Sequence, residues 1–160
     1  MNTQANARAQ YGITLLRVMV GIVFVMHGGQ KLFVMGMDGL AGFFGSIGIP
    51  FAYPNALLVT AVELLGGALL IAGLFTRFVT PLIAATMVVA IATVHGAKGF
   101  FLPEGYEFAL TLLVANAALF LTGSGALALD NLLGRERTAA VRSGRPAPAA
   151  KSAETVYATR

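Results

Sequence analysis

His27, Lys31 and Glu63 are the residues whose chemistry departs most from their surroundings. The first two lie four apart at the end of RVMVGIVFVMHGGQK (17–31), and the third sits inside VTAVELLGGALLIAG (59–73). An imidazole, an ammonium and a carboxylate in otherwise apolar segments could hydrogen-bond a small polar headgroup and exchange protons with it. A second histidine, His95, closes the apolar run TMVVAIATVHG (86–96), and Glu107 opens YEFAL (106–110). What these groups can do depends on the solvent in which they sit.

Composition identifies that solvent. Of 160 residues, 57% are hydrophobic and 11% are charged, against about 45–50% and about 25% in a soluble domain. Such a chain lacks the polar surface to face water all round, which predicts an integral membrane protein whose main partner is lipid. The net charge of +4 comes mostly from the two tails, and without tryptophan or an aromatic-interleaved basic patch it does not suggest nucleic acid. The chain has no cysteine, so disulfides, thiol relays, cysteine-held iron–sulfur clusters and covalent haem are excluded. Redox chemistry here would need a quinone, another cofactor or a partner subunit. No metal or haem is expected: the two histidines both lie near the ends of their runs, and the paired Glu-x2-His motifs of a di-iron bundle are missing.

Four windows approach the roughly 20 apolar residues needed to cross a bilayer as a helix: 12–34, 55–74, 78–97 and 106–123. They predict an all-α, antiparallel four-helix membrane bundle, since a bilayer leaves no lipid-exposed backbone group unpaired. Pro81 falls in the first turn of the third window, where its missing N–H matters little. Residues 1–11 read as an N-terminal tail and 135–160 as a disordered basic tail. The glycine- and phenylalanine-rich stretch 36–51 reads as an interfacial or re-entrant segment on the outer side. With four spans the tails share a side, which collects nine of the eleven Lys and Arg, Arg17 and Arg77 among them as topology anchors. Both termini are therefore expected in the cytoplasm.

Depth then brings the reactive residues together. At 1.5 Å per residue, His27 comes roughly 22 Å along the first span and Glu63 roughly 12 Å below the outer surface on the second. Lys31, His95 and Glu107 fall in the same leaflet. Helical phase puts Arg17, Val20, Gly21, Phe24, His27, Gly28 and Lys31 on one stripe, and Ala56, Thr60, Glu63, Gly66, Gly67 and Leu70 on another. A third stripe is expected to hold Pro81, Ala84, Val88, Ile91 and His95. On the fourth span Asn116 lies opposite Glu107, so the two cannot face the same neighbour. A bare carboxylate at depth costs at least about 2.5–3.5 kcal/mol, so Glu63 is expected to be paired, protonated or beside water, with His27 and Lys31 as its partners.

The motifs R-x3-G-x5-H-G-x2-K (Arg17 to Lys31) and E-L-x-G-G-x2-L-x2-G (Glu63 to Gly73), followed by Thr76-Arg77, resemble those of the DoxX family of small four-helix bacterial membrane proteins. The resemblance covers roughly residues 12–125. It implies a redox role, since one namesake belongs to a thiosulfate:quinone oxidoreductase and other members carry oxidoreductase labels.

Three functions compete at this level. The leading one is the membrane subunit of a quinone-linked oxidoreductase system, with a pocket in the outer half of the bundle. Glu63 would accept a proton, His27 would orient the headgroup and Lys31 would bias the charge. Gly28, Gly66, Gly67, His95 and Glu107 would line the cofactor site, the last two passing protons outward. The second is a non-catalytic anchor or assembly partner for a soluble oxidoreductase or another respiratory subunit. The third is proton-coupled transport of a small solute, for which four spans suggest a homodimer.

Overall fold

In the computed structural model, residues 3–133 are described, so the expected tail 135–160 lies outside them. All regular structure among these residues is helical. Five α-helices of ten or more residues follow in order: α1 (Thr3–Gly29), α2 (Met37–Ser46), α3 (Ala52–Ala72), α4 (Thr76–Ala90) and α5 (Glu107–Thr122). Helices α1 and α4 run on into π-helical segments, Gln30–Met35 and Ile91–His95. Three continuous helices are long and apolar enough to cross a membrane: Gln4–Met35, Ala52–Ala72 and Thr76–Lys98. The fourth, α5, is a shorter apolar helix of 16 residues, about 24 Å long. The closest packing pairs α1 with α3 and α4 with α5, giving a bundle around Phe24, Leu70, Ile83 and Leu119.

Three boundaries differ from the sequence reading. Helix α1 begins at Thr3, so most of the expected tail 1–11 is helical. Segment 36–51 holds a ten-residue helix, α2, whose Leu40 and Phe44 pack on Ala56 at one end of the bundle. Helix α4 starts at Thr76, which puts Pro81 in its second turn rather than its first. There its missing N–H withholds the usual bond from the Arg77 carbonyl.

Small residues allow the helices to meet backbone to backbone. A Cβ on Gly28 would lie 2.8 Å from the Leu64 amide nitrogen, and one on Gly66 3.1 Å from Ile83 Cδ1. Gly28 and Gly67 thus seat α1 on α3, and Gly66 seats α4 on α3. Helix α3 ends where Gly73, at φ 72°, donates its N–H to the Leu70 carbonyl. A side chain at Gly73 would strike Ala128 and the Arg17 guanidinium.

Arg17 is the main departure from expectation. It is 1% exposed, so it is not an interfacial anchor. Its Nε donates to the Ser124 carbonyl at 2.8 Å, Nη1 to the carbonyls of Leu70 and Ile71, and Nη2 to the Leu127 carbonyl. The guanidinium thereby adds donors to carbonyls in the last turn of α3 and fastens them to the chain that follows α5. Thr14, one turn earlier on α1, adds a hydroxyl that accepts from the Leu127 amide at 3.2 Å.

Candidate functional site

The end of the bundle opposite Arg17, capped by α2 and residues 99–106, holds the buried carboxylate of Glu63. On α3 the buried residues are Ala56, Thr60, Glu63, Gly66, Gly67 and Leu70, the same six as the expected stripe. Glu63 is therefore aimed inward by helical phase alone. Lys31 reaches it from α1, with Nζ donating to Oε2 at 2.5 Å, and the two side chains are 19% and 3% exposed. The other carboxylate oxygen of Glu63 has no hydrogen-bond partner among the described residues. Lys31 belongs to the π-helical segment, whose wider turn shifts side chains relative to a continuing α-helix.

One cavity of about 370 Å³ opens beside this pair, within the range of small-ligand sites. His27, Lys31, Glu63 and His95 all line it. Phe24, Phe43, Phe44 and Phe108 form much of its apolar wall. His27 leans against Phe108 with ring centroids 5.9 Å apart. Leu102, Pro103 and Gly105 close one side. The loop that carries them is pinned: Tyr106 donates its amide to the Gly99 carbonyl at 3.0 Å, and Leu102 donates its own to Glu107 Oε1 at 2.7 Å. His95 Nδ1 meets the Glu104 carbonyl at 2.8 Å, and Lys98 pairs with Glu104 at 3.1 Å on the surface.

Four of the expected site residues do not line the cavity. Glu107 holds the loop, while Gly28, Gly66 and Gly67 are helix contacts. The third expected stripe is also displaced. Helix α4 buries Thr76, Val79, Thr80, Ile83 and Met87, while Pro81 and Val88 are exposed. Counting back from His95 at α-helical phase crosses the π-helical turn 91–95, which offsets the register by about one residue. On α5 Asn116 faces inward and is fully buried, its Oδ1 without a partner, whereas Glu107 stays half exposed.

The sequence reading missed Thr86 and Thr93, which line the cavity from the α4 side. Neither stood out because each lies on an otherwise apolar run. Among the described residues no group of three or more histidine or carboxylate side chains is placed to hold a metal ion.

An apolar helical bundle with three helices long enough to cross a bilayer, and a buried ion pair beside a cavity, defines a polytopic membrane protein. The chain belongs to the DoxX family, whose profile matches residues 12–96. It is 45% identical over 125 residues to a Bacillus subtilis (strain 168) protein named "Putative oxidoreductase CatD", covering 78% of this chain and 89% of the relative. It is also 30% identical to the uncharacterized membrane protein Rv3486 of Mycobacterium tuberculosis, over 84% of this chain and 88% of that one. The inner membrane protein YphA of Escherichia coli is 30% identical, with coverage of 74% and 87%. No solved structure matches the chain.

Proposed function

We propose that this protein is the membrane subunit of a quinone-linked oxidoreductase system and that the cavity at the α2 end receives the quinone ring. The observation that carries this reading is the Lys31–Glu63 pair, held at 2.5 Å on the wall of a cavity otherwise built mostly from aromatic and aliphatic side chains. Such a wall suits a flat, lipid-soluble ring, and the charged pair supplies a fixed place for its polar edge. A bound quinone would contribute the electron-transfer chemistry. The chain's own groups manage hydrogen bonds and protons: Lys31 retains N–H donors beyond the one given to Glu63, the free oxygen of Glu63 can take a proton, and His27 can donate or accept. A relative named as an oxidoreductase supports the same direction.

The lysine and arginine bias supports an orientation with both termini in the cytoplasm of a bacterial cell, and with it a cavity in the outer leaflet of the inner membrane. Fusing a reporter that is active only in the cytoplasm to either terminus tests this, and activity from both fusions is expected. For the ligand, purified protein in nanodiscs is titrated with a short-chain benzoquinone while its thermal unfolding is followed. Saturable binding with a rise in melting temperature is expected; no binding and an unchanged melt at excess quinone contradict the reading.

A second reading, a non-catalytic anchor for a soluble oxidoreductase, draws on the absence of cysteine, which leaves any thiol carrier to a partner. Under it, Glu63→Gln leaves the partner's activity intact in membranes. Under the first reading, the same change lowers it.

A further inference from the structure

The hydrogen-bonding groups on the cavity wall differ between its two sides. At the pole formed by His27, Lys31 and Glu63 both kinds are present. Lys31 has spare N–H groups, Glu63 has a free carboxylate oxygen, and neither ring nitrogen of His27 is tied to the protein among the described residues. A ligand carbonyl or a ligand hydroxyl could be received there equally.

The wall supplied by α4 and the π-helical turn after it is different. The carbonyl of Glu104 can only accept, so the 2.8 Å contact to His95 Nδ1 requires the hydrogen to be on Nδ1. In the neutral ring Nε2 then carries a lone pair and no hydrogen. Thr86 Oγ1 donates to the Ile83 carbonyl at 2.7 Å, and Thr93 Oγ1 donates to the Val89 carbonyl at 2.8 Å. Both hydroxyl hydrogens are thus spent on the helix's own backbone, leaving only oxygen lone pairs for the cavity. His95, Thr86 and Thr93 all line the cavity, and all three present acceptors.

A quinone has two carbonyl oxygens and no donor, so against this wall it would set acceptor against acceptor. The reduced ring has two hydroxyl groups and supplies the missing hydrogen. The charge also fits: Lys31 and Glu63 cancel, and a neutral ligand avoids the cost of burying an unpaired charge. We infer that the cavity selects the reduced, hydroxyl-bearing form of its ligand, a neutral lipophilic hydroquinone, because the α4 wall offers it only hydrogen-bond acceptors and His95 fixes that polarity. This inference rests on the quinone-pocket reading and adds the redox form that the pocket prefers. His95 is a specificity-determining residue in this account, and Glu104 positions its ring through a main-chain carbonyl.

The test is calorimetric titration of the full chain in nanodiscs under argon. The probes are a decyl-substituted benzoquinone, its hydroquinone and the dimethyl ether of that hydroquinone. The hydroquinone is expected to bind roughly tenfold tighter than either of the others, the effect of one or two hydrogen bonds. His95→Phe should reduce that preference to about twofold or less while leaving quinone affinity within about twofold, and His95→Gln, which keeps an acceptor oxygen, should restore part of it. Loosening of the loop alone would weaken all three ligands together and leave their ratio unchanged. Equal or tighter binding of the quinone by the unmodified protein overturns the inference but leaves the pocket standing. A preference that survives His95→Phe overturns the role given to His95. If none of the three probes binds, the quinone-pocket reading itself fails.

Discussion

Gly21 and Gly67 face each other with nothing between them but backbone. A Cβ on Gly21 would lie 2.7 Å from the Gly67 carbonyl oxygen, and a Cβ on Gly67 would lie 2.7 Å from that of Gly21. This reciprocal contact sets the spacing of α1 and α3, and Lys31 and Glu63 meet further along the same pair of helices.

Gly67→Ala should therefore force the two helices apart. Overpacking at a backbone contact is expected to lower unfolding stability by about 1–3 kcal/mol. Thermal unfolding in detergent measures it, with Gly12→Ala as the control, because nothing lies within 4 Å of a Cβ at Gly12. Equal melting temperatures for the two variants would contradict this packing.

Arg17 and Arg77 look alike in sequence as charges near span ends, yet one is 1% exposed and the other lies on the surface. Arg17→Lys keeps the charge but cannot reach four carbonyls from one planar fork. It is expected to cost roughly 2–4 kcal/mol through lost charged hydrogen bonds. Arg77→Lys should stay within about 0.5 kcal/mol. Comparing the two melts separates a clamp from a topology anchor.

The ion pair predicts an asymmetry between its partners. Removing Lys31 strands a carboxylate that is 3% exposed, whereas removing Glu63 leaves an ammonium that is 19% exposed and can reach water. Lys31→Met should cost about 3 kcal/mol or more, Glu63→Gln less, and the double change Lys31→Met with Glu63→Leu should recover most of the loss. Chemical denaturation of the three variants checks this. A larger loss for Glu63→Gln than for Lys31→Met would argue against the burial described.

Much of this was legible in the sequence because an unbroken α-helix keeps phase. The stripe on α3 from Ala56 to Leu70 needed only a period of 3.6, and Arg17, Val20, Gly21, Phe24 and Gly28 on α1 follow the same rule. The phase rule had already placed Arg17 on an inner face, while the convention for charges near membrane ends argued for a surface role; burial decided for the first. On α4 the phase rule failed because a π-helical turn lies between His95 and the rest of the helix, and nothing in IATVH marks such a turn. Glu107 was assigned to the pocket by depth alone. Depth places a residue along the membrane normal but not around the bundle, and its carboxylate bonds the Leu102 amide instead. Thr86 and Thr93 went unnoticed for a related reason: threonine satisfies its own hydroxyl within a helix, so its presence in an apolar run carries no signal of a cavity.

The central claim is that a quinone ring enters the cavity beside Lys31 and Glu63, and photolabelling tests it most directly. Membranes containing the full chain are irradiated with an azido-benzoquinone, and the labelled residues are mapped by mass spectrometry. The account predicts labels confined to cavity residues such as Met35, Met87 and Phe108, lost when excess unlabelled quinone competes. Labels only on lipid-facing residues such as Leu15 and Leu65, unaffected by the competitor, would contradict it.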